Sequence, residues 1–352
     1  MQKNLIYDFH LDYGDNMYFG PFWDDPVTPL PPAKTKKQFL GIEVNSLLGV
    51  PSCPLTATAR YVKLFASLGY DILTFKSVRS IEWKGNKAPH WFYSDAKVVA
   101  PSDKDLQTTT AKDNHEGDGE PSMVNSFGIH SLRPQYWQEE YELAQKNLQS
   151  GQILILSIMV TPVVGKTAEQ DAKDVAKYAD ETSAQVIEMN LSCPNTEGGK
   201  GLIFEDVAMS VNLCRAIKEV IGNKKLLAKV GFYKNQADLK QFLSETKGII
   251  SGLSTMNTYA AKVVNEKREE KFPGRAVAGL SGAAIRQLAV SQIKQTLEYK
   301  KTLHLDDFAI VGIGGVTSVA HINEFLNLGV DAVQTAVGAF ANPYLAREYK
   351  KA

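Results

Sequence analysis

The sequence predicts an α/β protein built as a (β/α)8 TIM barrel, a single domain with an N-terminal arm and a long insertion before the third barrel strand. Three observations predict it. From residue 39 onward, eight short apolar runs of β character alternate with eight longer stretches of helical period. The competing architecture, a doubly wound open sheet, lacks its usual first-turn glycine fingerprint here. The length of 352 residues exceeds the roughly 250 of a typical barrel, and the surplus falls mostly in two places rather than in a second domain.

The first surplus is the arm at 1–38, followed by a barrel region at 39–352. The arm is rich in aromatics, Asp and Pro, including Tyr18, Phe19, Phe22, Trp23 and Pro26, then Pro29, Pro31 and Pro32. It reads as an extended segment packed on the body by its aromatic rings. The predicted strands then lie at 44–50, 71–76, 153–160, 184–191, 226–230, 248–253, 308–311 and 332–337. Helices are expected near 56–69, 133–149, 167–181, 205–221, 233–246, 282–300, 317–329 and 342–350. Thr56, Thr167 with Glu169, and Ser318 stand where helix starts need a side-chain oxygen. The second surplus is the connection at 77–132, too long for an ordinary barrel loop. Its aromatic half, around Trp83 and the run from Pro89 to Tyr93, is expected to pack as a hairpin. Its polar half, from Lys112 to Glu120, is expected to be a mobile tip. His90 and His115 could in principle hold a metal, but a solvated loop is the better reading, and no metal is expected.

Composition narrows the function. With 39 basic and 39 acidic groups the formal net charge is zero, which argues against a general nucleic-acid binder. Three cysteines, Cys53, Cys193 and Cys214, are too few for a disulfide framework or a zinc site and suit a reducing, cytoplasmic compartment. The N-terminus has no apolar core of a signal peptide, and no stretch of about 18 apolar residues suggests a membrane helix.

In a barrel the chemistry sits at the C-terminal ends of the strands, so polar residues there carry the most weight. Strand two ends in Lys76-Ser77, strand four in Asn190-Leu191-Ser192-Cys193-Pro194-Asn195, and strand five in Lys229. Strand six leads into Asn257-Thr258, strand seven into Gly314-Gly315, and strand eight into Ala336-Val337-Gly338. Gly314-Gly315 just before a helix offers close backbone approach and free N–H groups, the usual makings of a phosphate site after strands seven and eight. Two lysines at strand ends suit an anionic or electron-rich ligand, against the ordinary alternative of snorkelling to solvent. Cys193, flanked by Asn190, Ser192 and Asn195, is the candidate base or nucleophile. Cys214, in an apolar helical stretch, reads as core.

At these residues the chain resembles the dihydroorotate dehydrogenase family, FMN-dependent (β/α)8 barrels of pyrimidine biosynthesis. The likeness runs with gaps from about residue 40 to 345. The Asn190–Asn195 segment resembles the family signature, and Asn125-Ser126-Phe127-Gly128-Ile129 resembles its substrate loop. Thr74-Phe75-Lys76-Ser77, Asn257-Thr258, Gly279-Leu280-Ser281-Gly282 and Gly312-Ile313-Gly314-Gly315 resemble four further elements, in the family's order.

The resemblance implies oxidation of dihydroorotate by a soluble enzyme of the cysteine type. Cys193 would take a proton from C5 of dihydroorotate, and Lys76 would sit against flavin and substrate. Lys229 would stabilise the reduced flavin electrostatically. Asn125, Asn190, Asn195, Asn257 and Thr258 would hold the substrate, with backbone N–H groups of Phe127, Gly128 and Ile129 on its carboxylate. Ser52, Cys53, Lys76, Ser77, Asn190, Lys229, Gly282, Gly314, Gly315, Ala336 and Val337 would line the FMN site. Fumarate is the expected oxidant and a homodimer the expected assembly. NAD would need a partner protein, and quinone is disfavoured by Cys193.

The sequence also departs from the pattern. Phe127 replaces a methionine, and Ile129-His130-Ser131 stands where a Pro-Asn or Asn-Asn pair usually follows the hydrophobic residue. Pro54 replaces a glycine, and Val337 a Thr or Ser. Three alternatives remain. One is a dihydropyrimidine dehydrogenase-like flavoenzyme, disfavoured because 196–213 contains no cysteine. The others are a non-catalytic flavin-binding homologue and a barrel acting on sugar phosphates.

Overall fold

The computed structural model describes residues 5–103, 105–115, 119–192 and 201–352. The arm carries a helix, α1 (Tyr13–Phe19), and ends in a hairpin of β1 (Lys37–Phe39) and β2 (Ile42–Val44). The body then runs β3 (Leu48–Val50), α2 (Ala59–Leu68), β4 (Ile72–Val78), β5 (Trp91–Ser94), β6 (Thr108–Lys112), β7 (Ser122–Asn125), α3 (Pro134–Lys146), β8 (Ile153–Ile158) and α4 (Ala168–Asp180). It continues through β9 (Val186–Asn190), α5 (Val207–Ile221), β10 (Lys225–Lys229), α6 (Gln236–Glu245), β11 (Gly252–Ser254), β12 (Tyr259–Val264) and β13 (Val277–Gly282). The last elements are α7 (Arg286–Thr302), β14 (Ala309–Ile313), α8 (Val319–Leu328), β15 (Ala332–Gln334), α9 (Val337–Ala341) and α10 (Leu345–Lys351).

Eight strands close a parallel barrel in the order β3-β4-β8-β9-β10-β11-β14-β15, and β15 pairs back onto β3. Each of the eight overlaps one of the runs read from the sequence, although β4, β11 and β14 end later than read, β10 starts one residue earlier, and β4 reaches Val78, inside the segment read as the insertion. They read as near-continuous apolar runs because both faces are covered, by the interior on one side and helices on the other. Every residue of β4, β8, β9 and β14 is buried. The hairpin closes the N-terminal end. Phe39 and Val44 cluster with Ile72, Ile153, Val186, Ala309 and Ala332, the first residues of their strands.

Local signals set several helix starts. Thr167 caps α4 in a reciprocal box, but its partner is Gln170 rather than Glu169. Gln170 N donates to Thr167 Oγ1 at 3.2 Å and Thr167 N to Gln170 Oε1 at 2.9 Å. Only the third helical residue can reach back to the cap, and that residue is Gln170. Ser318 caps α8, accepting from His321 N at 3.4 Å. Thr56 does not start α2. It lies in a preceding 3-10 turn, where its hydroxyl donates to Cys53 O at 3.1 Å, and Thr58 takes the cap position.

The arm is not wholly extended. Asn16 folds α1 back onto the preceding turn, with Asp8 N donating to Asn16 Oδ1 at 2.7 Å and Asn16 Nδ2 to Asp8 O at 2.9 Å. Tyr61 of α2 ties it down through Ile6 O at 2.9 Å and Asn16 O at 3.1 Å. Tyr7 and Tyr13 are buried, whereas Tyr18 and Phe19, expected to pack, are exposed. The boundary drawn at residue 38 falls inside β1.

The insertion is not a hairpin by itself. β5, β6 and β7 join β12 and β13, from the connection after β11, in a second closed sheet of order β12-β13-β7-β5-β6. Val124 of β7 pairs with Phe92 on one side and Leu280 on the other, both antiparallel. Val263 pairs with Thr109 in parallel. Two of the five strands of this sheet come from a segment more than a hundred residues downstream, so no local pattern announces it. The polar tip is partly tethered by Lys112–Glu266 at 2.9 Å and Lys271–Asp113 at 3.2 Å, while 116–118 lie outside the described residues. His90 Nε2 bonds Asn86 O at 2.8 Å and His115 Nε2 bonds Gly119 O at 2.6 Å. Among the described residues no three metal-ligating side chains gather, and no helix is long and apolar enough to cross a membrane.

Candidate active site

A cavity of about 490 Å³ opens between the C-terminal ends of the barrel strands and the small sheet. That is an ordinary volume for a small-molecule or cofactor site. Parallel register brings its polar residues to one level: Lys229 of β10 is paired with Asn190 of β9 and with Ser254 of β11. Ser52, Cys53, Lys76, Asn190, Lys229 and Asn257 line it from the barrel, and Asn125 to Ile129 and Gly279 to Gly282 (Leu280 excepted) line it from the small sheet.

A hydrogen-bonded chain fixes the barrel side. Ser77 N donates to Ser52 Oγ at 2.7 Å, and Ser77 Oγ lies 2.9 Å from both Ser52 Oγ and Ser157 Oγ. Asn190 Nδ2 donates to Ser77 Oγ at 3.3 Å, while Asn190 Oδ1 accepts from Ser192 N at 3.0 Å and Asn257 Nδ2 at 3.3 Å. Asn257 Oδ1 accepts from Thr258 N at 2.9 Å. Ser77 does not line the cavity itself; it orients Asn190 from beneath. Ser157 was not singled out from the sequence, because one serine in an apolar run carries no signal by itself.

Two ammonium groups sit in this wall. Lys76 and Lys229 are both buried, and neither has a hydrogen-bond or ion-pair partner among the described residues. Burial pulls Lys76 down to about 7, with Lys229 and Arg79 adding repulsion and Cys53 opposing. Cys53 is pushed up to about 11 by burial, against the pull of the Leu55 N–H and the two lysines, so it is a neutral thiol. Unpaired buried cations are costly unless a ligand supplies the missing negative charge. Gln334, at the end of β15, also lines the cavity. Its Nε2 bonds Ile72 O and Thr74 Oγ1, and its Oε1 has no partner among the described residues.

The glycines form a cradle at the α8 end. Gly314 and Gly315 have φ of 120° and 77°, and a Cβ on Gly315 would lie 2.5 Å from Arg286 Cβ and 2.8 Å from its backbone N. Gly282, at φ 86°, stands against Pro121 O with no room for a Cβ. Ala336 and Val337 line the cavity beside them, and Val337 begins α9. Backbone can approach a ligand closely here because no side chain intervenes. Glycine cradle, buried lysines and cavity volume together fit a flavin mononucleotide, whose electron-rich ring the lysines would hold and whose phosphate the glycines would hold.

On the opposite wall, Asn125 Nδ2 donates to Gly279 O at 3.3 Å. Beyond it the chain turns through Gly128 at φ 70° and Ile129 at φ 51°. A left-handed isoleucine is strained and persists only where its surroundings over-determine it. Here the carbonyls are held: Trp83 Nε1 donates to Gly128 O at 3.1 Å and Arg79 Nε to Ile129 O at 3.0 Å. The backbone N–H groups of Phe127, Gly128 and Ile129 donate to no acceptor among the described residues. The Phe127 side chain is buried among Tyr7, Tyr13, Trp91 and His90. Arg79, Trp83 and Arg275, which brace this loop, carried no motif in the sequence. Cys193 and Asn195 lie outside the described residues. Cys214 is buried in α5, its thiol pushed up to about 12 by burial.

Comparison with known proteins finds relatives of one family. A family model described as "Dihydroorotate dehydrogenase" matches residues 109–352. The dihydroorotate dehydrogenase of Dictyostelium discoideum is 28% identical over 358 residues, covering 98% of this chain and 96% of that protein. Catalytic subunits named dihydroorotate dehydrogenase B (NAD(+)), from Desulforamulus reducens and Brachyspira hyodysenteriae, are 26% and 27% identical over 247 residues. Each alignment covers 68% of this chain and 76% of the relative.

Proposed function

The chain belongs to the dihydroorotate dehydrogenase family, FMN-dependent oxidoreductases acting on CH–CH bonds, and from that premise we propose that it oxidises dihydroorotate to orotate in de novo pyrimidine biosynthesis. The observation that carries this reading is the pair of buried lysines, Lys76 and Lys229, without a hydrogen-bond or ion-pair partner among the described residues, beside the asparagine chain. When bound, FMN supplies the acceptor for the hydride leaving C6. Lys229 would hold the negative charge that develops at the mouth, and Lys76 would contact substrate. Asn125, Asn190, Asn195, Asn257 and Thr258 would hold the pyrimidine amides and carboxylate, and the N–H groups of Phe127 to Ile129 would add carboxylate donors. Cys193 would remove the C5 proton as general base, a role resting on its place in the Asn190–Asn195 segment.

Ser52, Cys53, Gly282, Gly314, Gly315, Ala336 and Val337 complete the proposed flavin lining, and Ser77 supports it from beneath through Asn190. Anaerobic mixing of the flavin-loaded protein with dihydroorotate should bleach its visible absorbance, and dihydrouracil should not. Bleaching by dihydrouracil alone would replace this reading with the dihydropyrimidine one; bleaching by neither would favour a non-catalytic homologue.

For the oxidant we propose fumarate, with the enzyme a cytoplasmic homodimer. A second reading has its own support: relatives named as NAD(+) catalytic subunits match 68% of the chain. Parallel turnover assays with fumarate and with NAD plus an added iron–sulfur flavoprotein separate the two. Sedimentation tests the dimer.

A further inference from the structure

We propose that Tyr13 and Tyr7 of the N-terminal arm are positioning residues for the substrate loop, holding it in its binding shape before substrate arrives. This rests on the reading of 125–129 as that loop. The Tyr13 ring stacks on His130 with centroids 4.2 Å apart and planes 9° apart. Tyr13 also meets Phe127 edge-on at 5.9 Å, and Tyr7 meets Phe127 at 6.0 Å and Trp91 at 5.8 Å. Phe127 in turn stacks on His90 at 5.6 Å and 9°.

These contacts grip the loop on both sides of its left-handed pair, Gly128 and the strained Ile129. Arg79, Trp83 and Asn86 hold the carbonyls of Ile129, Gly128 and Phe127, leaving the N–H groups for a ligand. The arm holds the flanking side chains, which those bonds leave free to turn. Phe127 and His130 are also among the positions at which the loop departs from the family pattern, and both of these departures introduce a ring that meets the arm. The arm is itself anchored to the barrel through Tyr61, so the grip is referred to a rigid element. A loop ordered in advance spares substrate binding the cost of ordering it. Burial takes the His130 imidazole down to about 4, so the stack is between uncharged rings across the neutral pH range.

The test is steady-state kinetics on flavin-loaded enzyme. Losing one aromatic pair should raise KM for dihydroorotate about tenfold in Tyr13→Ala, with kcat and flavin content near wild type. Tyr13→Phe should restore KM, because the Tyr13 hydroxyl makes no hydrogen bond among the described residues. His130→Ala should raise KM similarly and add little to Tyr13→Ala, since both remove one stack. If Tyr13→Ala does not fold, His130→Ala alone reads the same contact. An unchanged KM in the folded variants, or a loss of thermal stability without a change in KM, would overturn the proposal. Asn125→Ala separates the two readings. If it raises KM while Tyr13→Ala and His130→Ala do not, only the arm's role fails. If it leaves KM unchanged, the assignment of the loop fails first.

Discussion

Asn257 donates from Nδ2 to Asn190 Oδ1 at 3.3 Å, joining the segment after β11 to the end of β9 across the cavity mouth. With Ser192 N on the same oxygen and Ser77 on the amide nitrogen, the Asn190 side chain is locked in one orientation. Asn190→Ala would strand these partners. Unsatisfied buried groups cost about 1–3 kcal/mol, so kcat/KM for dihydroorotate should fall roughly ten- to a hundredfold. A steady-state titration checks it, and a near-wild-type value would remove Asn190 from the substrate site.

Lys76 should make the ligand-free protein pH-sensitive. Its folded value of about 7 lies below the ordinary 10.5, so the unfolded chain holds the extra proton between those values. Its penalty on folding is full below about pH 7 and fades as pH rises toward 10.5. Melting temperatures of the apo protein should therefore climb across this window. In Lys76→Met the climb should flatten and the melting temperature near pH 6 should rise, while flavin reduction is lost.

An anionic ligand beside Lys76 should draw its proton back. At pH 8 orotate binding should be accompanied by proton uptake, measured by calorimetry in buffers of different ionisation enthalpy. Affinity should weaken as pH rises above about 7, and this slope should vanish in Lys76→Met.

Cys193→Ala should keep its flavin and lose about 10²–10⁴-fold in the rate of reduction by dihydroorotate, the usual effect of removing a general base. Cys193→Ser should retain slow reduction that rises with pH. Stopped-flow reduction across the alkaline range checks both, and unchanged kinetics in Cys193→Ala would assign the base elsewhere.

Gly315→Ala tests the cradle. Its Cβ would crowd the Arg286 backbone in a left-handed conformation that costs a non-glycine residue roughly 1–3 kcal/mol. The protein should be purified with much less flavin, read from its visible absorbance. Full flavin content would move the phosphate away from this turn.

The barrel was legible because its signals are local. Each strand is a short apolar run, and each helix has its own period and, at Thr167 and Ser318, its own cap. The strand-end residues Lys76, Asn190 and Lys229 were legible for the same reason, since parallel register carries strand ends to one level. Residues whose role depends on partners far along the chain were not. Ser157 matters only because it meets Ser77, and Arg79 only because it reaches Ile129 fifty residues on.

The sequence by itself therefore determined the eightfold strand–helix repeat, the family likeness and most of the strand-end residues that the structure brings to the cavity. These rest on periodicity and on residues at fixed offsets from a strand end. Only the tertiary structure decided what covers the mouth. The pairing of 91–125 with 259–282 in a second sheet, and the seating of Tyr7 and Tyr13 against the loop at 125–130, join segments more than a hundred residues apart. Such contacts are selected by packing and backbone pairing across the whole molecule, and no local window of sequence contains both partners.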